Sequence, residues 1–358
     1  MNSLQLWMIA ASTPRATLRA ALHAERSGHA GIVVTDSQNL AGDCYVALAV
    51  AAGATERIGL GTGVTNPVTR HPAVTAAAIA TIQQVSGGRA CLGIGRGDSA
   101  LAHLGRAPAS VDALERYVCA LQTYLRGDRI PFDELDFHER LAPPVASLGL
   151  ADSPDDSRIV WLGDIPKVPV EVAATGAKVI AMAAVHADRV LLAVGAEPER
   201  LRWGIEIGRA ARVAAGLDPD GVRFGAYVNV VVHPDVAVAR RLVAGGLSTF
   251  ARFSVMHGTA TGPQSEASRD VLGRLHEAYD MRSHTRSDSQ QAAVLPDEFI
   301  DRYSIVGPVD QCVSRLREME ALGIDKAIII GPSAGADREE SRSAIDHLAT
   351  DVAPVFAV

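Results

Sequence analysis

Two glycine-rich stretches, Gly61-Thr62-Gly63 and Gly93-Ile94-Gly95-Arg96-Gly97-Asp98, each close a short aliphatic run. Glycine at a strand end lets a flat ring lie against the backbone, because no Cβ intrudes; the same residues serve equally well in tight turns. Neither stretch has GxGxxG spacing, and no acidic residue stands where a ribose would need one, so a dinucleotide fingerprint is the weaker reading. Thr65-Asn66-Pro67 follows the first stretch, and Asp36-Ser37-Gln38 ends an earlier aliphatic run. Asp36 and Asp98 are the carboxylates placed to handle a proton if they are desolvated, or simply to cap the helices that follow them. Arg70 and His71 are either site residues or loop residues pairing with carboxylates, and Arg96 is open between a site role and an inter-strand ion pair. Ala174-Thr175-Gly176 leads into a helical segment, whose free N–H groups favour an anion, with Lys178 adding charge. His276 and His284 read as solvated side chains. HExxH, GxSxG and clustered His/Cys sets are all missing, so metal hydrolysis and serine-hydrolase chemistry have no support and no metal is expected.

The elements that must position these residues alternate regularly. Strands are expected over Leu4–Ala10, Gly31–Thr35, Arg57–Gly63, Arg89–Gly95, Val168–Ala173, Asp188–Val194, Val222–Val232 and Ala327–Gly331. Helices are expected over Ala16–Ser27, Asp43–Ala54, His71–Val85, Val111–Arg126, Ala177–His186, Pro198–Ala215, from Pro234 to Gly245 and onward, and over Val309–Leu322. This rhythm is that of repeated βαβ units, and eight strands are the count for a closed (β/α)₈ TIM barrel, an α/β fold. Two stretches break the rhythm, 128–164 (with a strand-like piece at Ile159–Leu162) and 250–301. Both fall between barrel elements, so they read as insertions in a single domain spanning 1–358.

The composition bounds the rest. The chain has 358 residues, 48% of them apolar but only 4% aromatic, which suits small aliphatic strands buried on both faces. A net charge of -7 without any basic run argues against nucleic acid. No apolar run is long enough to span a membrane. The scattered cysteines Cys44, Cys91, Cys119 and Cys312 read as buried, reduced thiols of a cytoplasmic protein.

Several of these motifs, in this order, resemble the luciferase-like flavin-dependent oxidoreductases. The resemblance runs through Gly61–Pro72 (GTGVTNPVTRHP), Ser86-Gly87-Gly88-Arg89, Gly93–Ser99 (GIGRGDS), Ala173–Gly176 (AATG), Asp188-Arg189-Val190, Gly307 and Gly323-Ile324-Asp325. It is strongest to the deazaflavin-dependent branch that includes methylenetetrahydromethanopterin reductase. The resemblance implies a bulge after the third strand with a non-prolyl cis peptide at Gly63-Val64, backing an isoalloxazine-type ring. It implies cofactor contacts from Gly61, Thr62, Gly63, Val64, Thr65, Asn66, Gly95 and Asp98, with Asp36 facing the ring, and a ribityl-phosphate cradle at Ala173, Ala174, Thr175, Gly176 and Ala177. The implied activity is hydride transfer between coenzyme F420 and a small organic substrate. The alternatives are an FMN-dependent monooxygenase using oxygen and a non-catalytic cofactor-binding subunit. A homodimer is likewise implied. Ala10-Ala11-Ser12, at the first strand's end, lacks the acidic residue of the pterin reductases, which tells against methanopterin as substrate. Substrate contacts are expected from loops after the first, seventh and eighth strands and from the second insertion.

Overall fold

Eight parallel strands close into a ring in the computed structural model, which describes residues 3–135 and 142–357. They are β1 Gln5–Ala10, β2 Gly31–Val34, β3 Gly59–Thr62, β4 Ala90–Ile94, β5 Val170–Ala174, β6 Arg189–Leu192, β7 Arg223–Val232 and β8 Ile324–Ile330. Each pairs with the next in sequence, and β8 pairs with both β7 and β1. The chain is therefore a TIM barrel, and its strand ends converge on one mouth, where barrels carry their functional loops.

Local chemistry sets the helices that wrap it. Asp43 caps helix Cys44–Ala52 by accepting from the amides of Tyr45 and Val46, Ser110 caps Val111–Arg126, and Asp235 caps Val236–Arg252. Pro14, Pro72 and Pro198 occupy first turns, where a missing N–H costs nothing. Gly127, at φ 76°, ends the helix before it in a left-handed turn.

Several boundaries depart from the sequence reading. The fifth strand starts at Val170 instead of Val168. The eighth starts at Ile324, three residues before Ala327, because Ile324 already pairs with Phe224 across an irregularity in register. Ile159–Leu162 is not a strand; the strands of that insertion among the described residues are Ile130–Pro131 and Asp156–Ser157, which pair antiparallel with each other. Residues 136–141 of the same insertion lie outside the described residues. The helix beginning near Pro234 continues to Arg252, so Phe250 belongs to it and not to an insertion. Beyond it come helices Glu266–Ala278, Gln290–Ala293 and Asp297–Tyr303, then a short strand, Ile305–Gly307, parallel to Val230–Val232 at the upper end of β7. No helix among the described residues is long and apolar enough to cross a membrane.

The core has an outer shell between strands and helices and an inner cluster inside the barrel. Trp7, Val33, Cys91, Leu191, Tyr227 and Ile328 fill the interior. Toward the strand N-termini the interior is charged. Glu171 of β5 lies 2.7 Å from Lys326 of β8 and also pairs with Arg189 of β6, which reaches Asp325 at 3.0 Å. The Lys326 ammonium stands 3.4 Å from the centre of the Trp7 ring. Burial alone would raise the pKa of Glu171, but Lys326 and Arg189 hold it below the usual carboxylate range. Three cysteines are buried free thiols as expected; Cys119 is half-buried.

Candidate active site

The third stave carries the local irregularity on which the mouth is built. The Gly63 amide donates to the carbonyl of Val34, and the Gly63-Val64 peptide is cis. The chain then rejoins β4: Thr65 N–H donates to Gly93 O and Gly95 N–H to Thr65 O, both at 3.0 Å. From the Gly61–Cys91 pair to the Thr65–Ile94 pair this stave takes four steps against three on β4, so it bulges between them. A Cβ on Gly95 would sit 3.2 Å from the Val64 side chain and 3.7 Å from that of Ala173, so the ends of β3, β4 and β5 meet there.

The glycines act differently from the flat-slot reading. A Cβ on Gly61 would meet the Cys91 sulfur at 2.5 Å, one on Gly63 would meet Val33 at 2.5 Å, and one on Gly93 would meet Thr62 O at 2.1 Å. These three glycines let the protein pack against itself; they do not clear a face for a ring. Thr62 is fully buried, its hydroxyl donating to Gly93 O at 2.6 Å. Gly176 is the contrary case, because a Cβ there meets nothing within 4 Å. It precedes helix Ala177–His186 without any side-chain cap, and Ala177 and Lys178 are exposed. Thr175 donates to Ala193 O at 3.3 Å, and Ala174 is buried in β5.

Asp36 does not cap a helix; Asp43 does that. Asp36 is 2% exposed, and its Oδ2 accepts from Thr65 Oγ1 at 2.7 Å and Arg70 Nη1 at 2.6 Å. Arg70 also pairs with Asp43 at 2.7 Å and lies 4.9 Å from the centre of the Tyr45 ring. Burial works against the charge of Arg70, yet Asp36 and Asp43 raise its pKa on balance. Asp36 Oδ1 stays buried without a partner. Asn66 accepts from the amides of Val68 and Thr69 through Oδ1, while its buried Nδ2 has no partner. Asp98 opens a short helical turn, Ser99–Ala102, without capping it; its carboxylate pairs with Arg252.

Arg252 and its neighbours carry no sequence signal as site residues, since Arg252 ends a helix 154 positions from Asp98. Its guanidinium lies 4.4 Å from the centre of the Tyr279 ring. The Tyr279 hydroxyl donates to Thr249 Oγ1 at 3.1 Å and stands 2.8 Å from His284 Nδ1. His284 is therefore half-buried and bonded, not solvated; burial lowers its pKa first of all, with Asp98 opposing. Phe250 stacks on Tyr227 at 5.7 Å, and Phe253 meets Phe250 edge-on at 5.4 Å. Tyr227 carries a fully buried hydroxyl without a partner. Arg96 donates through Nε to Ala109 O and lies 3.5 Å from His257, so it ties a loop together and is not an inter-strand ion pair. The described residues hold no cluster of His, Cys, Asp or Glu fit for a metal ion.

Comparison with known proteins agrees with this architecture. Residues 2–326 match the model of the luciferase-like monooxygenase family. The chain is 27% identical over 331 residues to the 5,10-methylenetetrahydromethanopterin reductase of Methanolobus tindarius, covering 89% of this chain and 90% of that one. It is 29% identical over 326 residues to the enzyme of the same name from Archaeoglobus fulgidus, with the same coverage. The fold superimposes on the coenzyme F420-dependent tetrahydromethanopterin reductase of Methanopyrus kandleri with a TM-score of 0.72 and 21% identity over 99% of both chains. It superimposes on a monooxygenase of Streptomyces bottropensis with a TM-score of 0.63 and 18% identity, covering 99% of this chain and all of that one. Motif order, barrel and family model coincide over most of the sequence, and the chain belongs to the luciferase-like monooxygenase family.

Proposed function

We propose that this protein is a coenzyme F420-dependent oxidoreductase that exchanges a hydride with a small organic molecule at the barrel mouth. The observation that carries the reading is the set of buried polar atoms left without partners beside the bulge: Asp36 Oδ1, Asn66 Nδ2 and the Tyr227 hydroxyl. Unsatisfied buried groups cost about 1–3 kcal/mol each, so a site that collects them is built for a ligand that completes them. One acceptor and two groups able to donate suit the carbonyl and N–H edge of a deazaflavin. The open helix start at Gly176, Ala177 and Lys178 suits its phosphate-bearing tail. Similarity over 89% of the chain to two 5,10-methylenetetrahydromethanopterin reductases, and of fold to a coenzyme F420-dependent tetrahydromethanopterin reductase, supports the same choice.

When bound, a reduced 5-deazaflavin would supply a hydride from C5 and be left oxidised; the substrate carbon would gain the hydride and its heteroatom a proton from solvent water. The chain's own work is placement. Val64 and Gly95 form one wall, Arg70 and Thr65 fix the Asp36 carboxylate, and Asn66 presents its free amide N–H groups. Such fixed geometry provides the orientation that hydride transfer needs. Because Asp36 and Asp98 are each engaged by an arginine, they serve in this reading to position charge and not as free acids.

Titration of the purified protein with F420 and, separately, FMN tests the proposal. F420 should bind at least about tenfold more tightly. The reverse order assigns an FMN-dependent monooxygenase, as the family's description would have it, and binding without turnover assigns a cofactor-binding subunit. A homodimer completes the proposal, to be read as twice the chain mass in sedimentation equilibrium.

A further inference from the structure

Helices Val111–Arg126 and Ala177–His186 are neighbours in the layer that wraps the barrel. Glu115, Cys119 and Gln122 are four and then three residues apart, so they share one face of the first helix. His186, the last residue of the second helix, stands against that face. Its Nδ1 lies 3.6 Å from the Cys119 sulfur and its Nε2 3.3 Å from Glu115 Oε1. The two neighbours take opposite nitrogens, so the three groups do not converge on an ion; they form a chain of carboxylate, imidazole and thiol. A carboxylate only accepts, which favours a proton on Nε2 and leaves the Nδ1 lone pair toward the thiol. A nucleophile beside a base that a third group orients is the arrangement of an assisted nucleophile. All three residues are partly exposed, whereas Cys44, Cys91 and Cys312 are buried. Gln122 adds an unmet acceptor to the same face. Its Nε2 donates to the His186 carbonyl at 2.9 Å and to Asp188 Oδ2 at 3.3 Å, which fixes the orientation of the amide. Its Oε1 is left buried without a partner, on a residue only 9% exposed. An incoming N–H would complete it.

We propose that Cys119 is a thiol-modification site for a small disulfide that carries amide N–H groups, with His186 as its base and Glu115 orienting His186. The thiol passes its proton to His186 Nδ1 as the sulfur attacks one sulfur of the disulfide. A new S–S bond joins Cys119 to that half of the molecule, and the old S–S bond breaks. The other half leaves as a thiolate and takes the proton from His186. Cys119 is thereby oxidised to a mixed disulfide and the leaving half reduced to a thiol, so the incoming disulfide is the oxidant. Burial first of all, and then Glu115, push the Cys119 thiol up, so it keeps its proton at rest. A base is needed for that reason, and a thiol that ionises reluctantly gives the stronger nucleophile once its proton has gone. Gln122 Oε1 accepts an amide N–H of the attached half. The site lies in the helix layer and its chemistry requires no deazaflavin.

Glutathione disulfide, which carries amide N–H groups, and hydroxyethyl disulfide, which has none, are the probes. The full chain is incubated with each, and the rate and place of modification are read by intact mass and peptide mapping. Glutathione disulfide should add to Cys119 before any other cysteine. His186→Gln should slow that reaction at least about tenfold, as loss of a general base does. Glu115→Gln should slow it about threefold. The parent's rate should also level off at a lower pH than that of His186→Gln, a difference that a purely structural role for His186 does not produce. Gln122→Leu should slow glutathione disulfide about fivefold and hydroxyethyl disulfide by less than about twofold. Urea midpoints of the variants show that each is folded. Modification at another cysteine first, no modification of Cys119, or a folded His186→Gln protein with the parent's rate and pH profile overturns the proposal. Equal slowing of both probes by Gln122→Leu overturns the amide contact.

Discussion

A glycine's meaning lies in what its missing Cβ would touch. Gly93 and Gly176 both sit in the stretches that suggested a cofactor site, yet their surroundings are opposite. At Gly93 a Cβ would stand 2.1 Å from the backbone oxygen of Thr62, which cannot move aside without pulling β3 from β4. At Gly176 the space is open, and φ of -95° is one that alanine adopts freely. Gly93→Ala should therefore destabilise the fold by about 1–3 kcal/mol, as overpacking does. Gly176→Ala should leave the urea midpoint in place and weaken F420, because the new methyl stands at the uncapped helix start. Denaturation curves and cofactor titrations on both variants check this; a Gly176→Ala protein with unchanged F420 affinity removes the tail from that position. Arg70 pairs with the carboxylates of Asp36 and Asp43, and Asp36 is its partner and not a helix cap. Residue types and spacing put Asp36, Thr65 and Asn66 at the mouth. They could not say which atoms would remain unpaired, because that depends on chain segments far apart in sequence.

Elements were legible where they carry a period and illegible where they do not. Most of the barrel strands contain an aliphatic run, as parallel strands buried on both faces tend to, but Glu171 interrupts Val170–Ala174 and Asp325-Lys326 interrupt Ile324–Ile330, which hides the start of the last strand. Ile305–Gly307 and the two-residue strands Ile130–Pro131 and Asp156–Ser157 are too short for any period to show, and only their partners define them. The turn between helix Pro14–Arg26 and β2 shows how a connection can hold energy. Gly28, at φ 76°, lets the chain reverse and brings His29 inside, 3% exposed. Its Nδ1 lies 2.8 Å from Ser27 Oγ, and its buried Nε2 has no partner. Burial, and to a lesser degree His23, lowers its pKa from 6.5 to about 4. The unfolded chain takes up the proton first as pH falls, so this contribution is whole above 6.5 and is lost progressively toward 4. The loss is on the order of 3 kcal/mol. His29→Asn, which can keep the bond to Ser27, should flatten that part of the stability–pH curve. Urea midpoints of parent and variant, compared across this range, decide it; parallel curves would mean that the imidazole titrates normally in the fold.

At the scale of the whole barrel, charge is divided between its two ends. The mouth collects unpaired polar atoms and arginine–carboxylate pairs, whereas the opposite end is plugged by Glu171, Lys326 and Arg189 in mutual contact. Lys326 and Glu171 are each 1% exposed, so neither charge can turn to water. Removing one member leaves the others buried and uncompensated, which typically costs about 3–5 kcal/mol. Arg189 retains Asp325, but Lys326 has only Trp7 and the Cys91 sulfur left, neither of which carries a compensating charge at neutral pH. Burial and the nearby Glu171 keep the Cys91 thiol pushed up to about 11, even with Lys326 favouring its anion. Glu171→Gln should therefore lower stability by most of that amount. It should leave F420 affinity within about twofold of the parent under native conditions, because barrels place stability at the strand N-termini and ligands at the C-termini. Denaturation and cofactor titration on one preparation measure both. A variant of unchanged stability and reduced F420 affinity would mean that these buried charges act on the mouth through the interior, and that the two ends of this barrel are not independent.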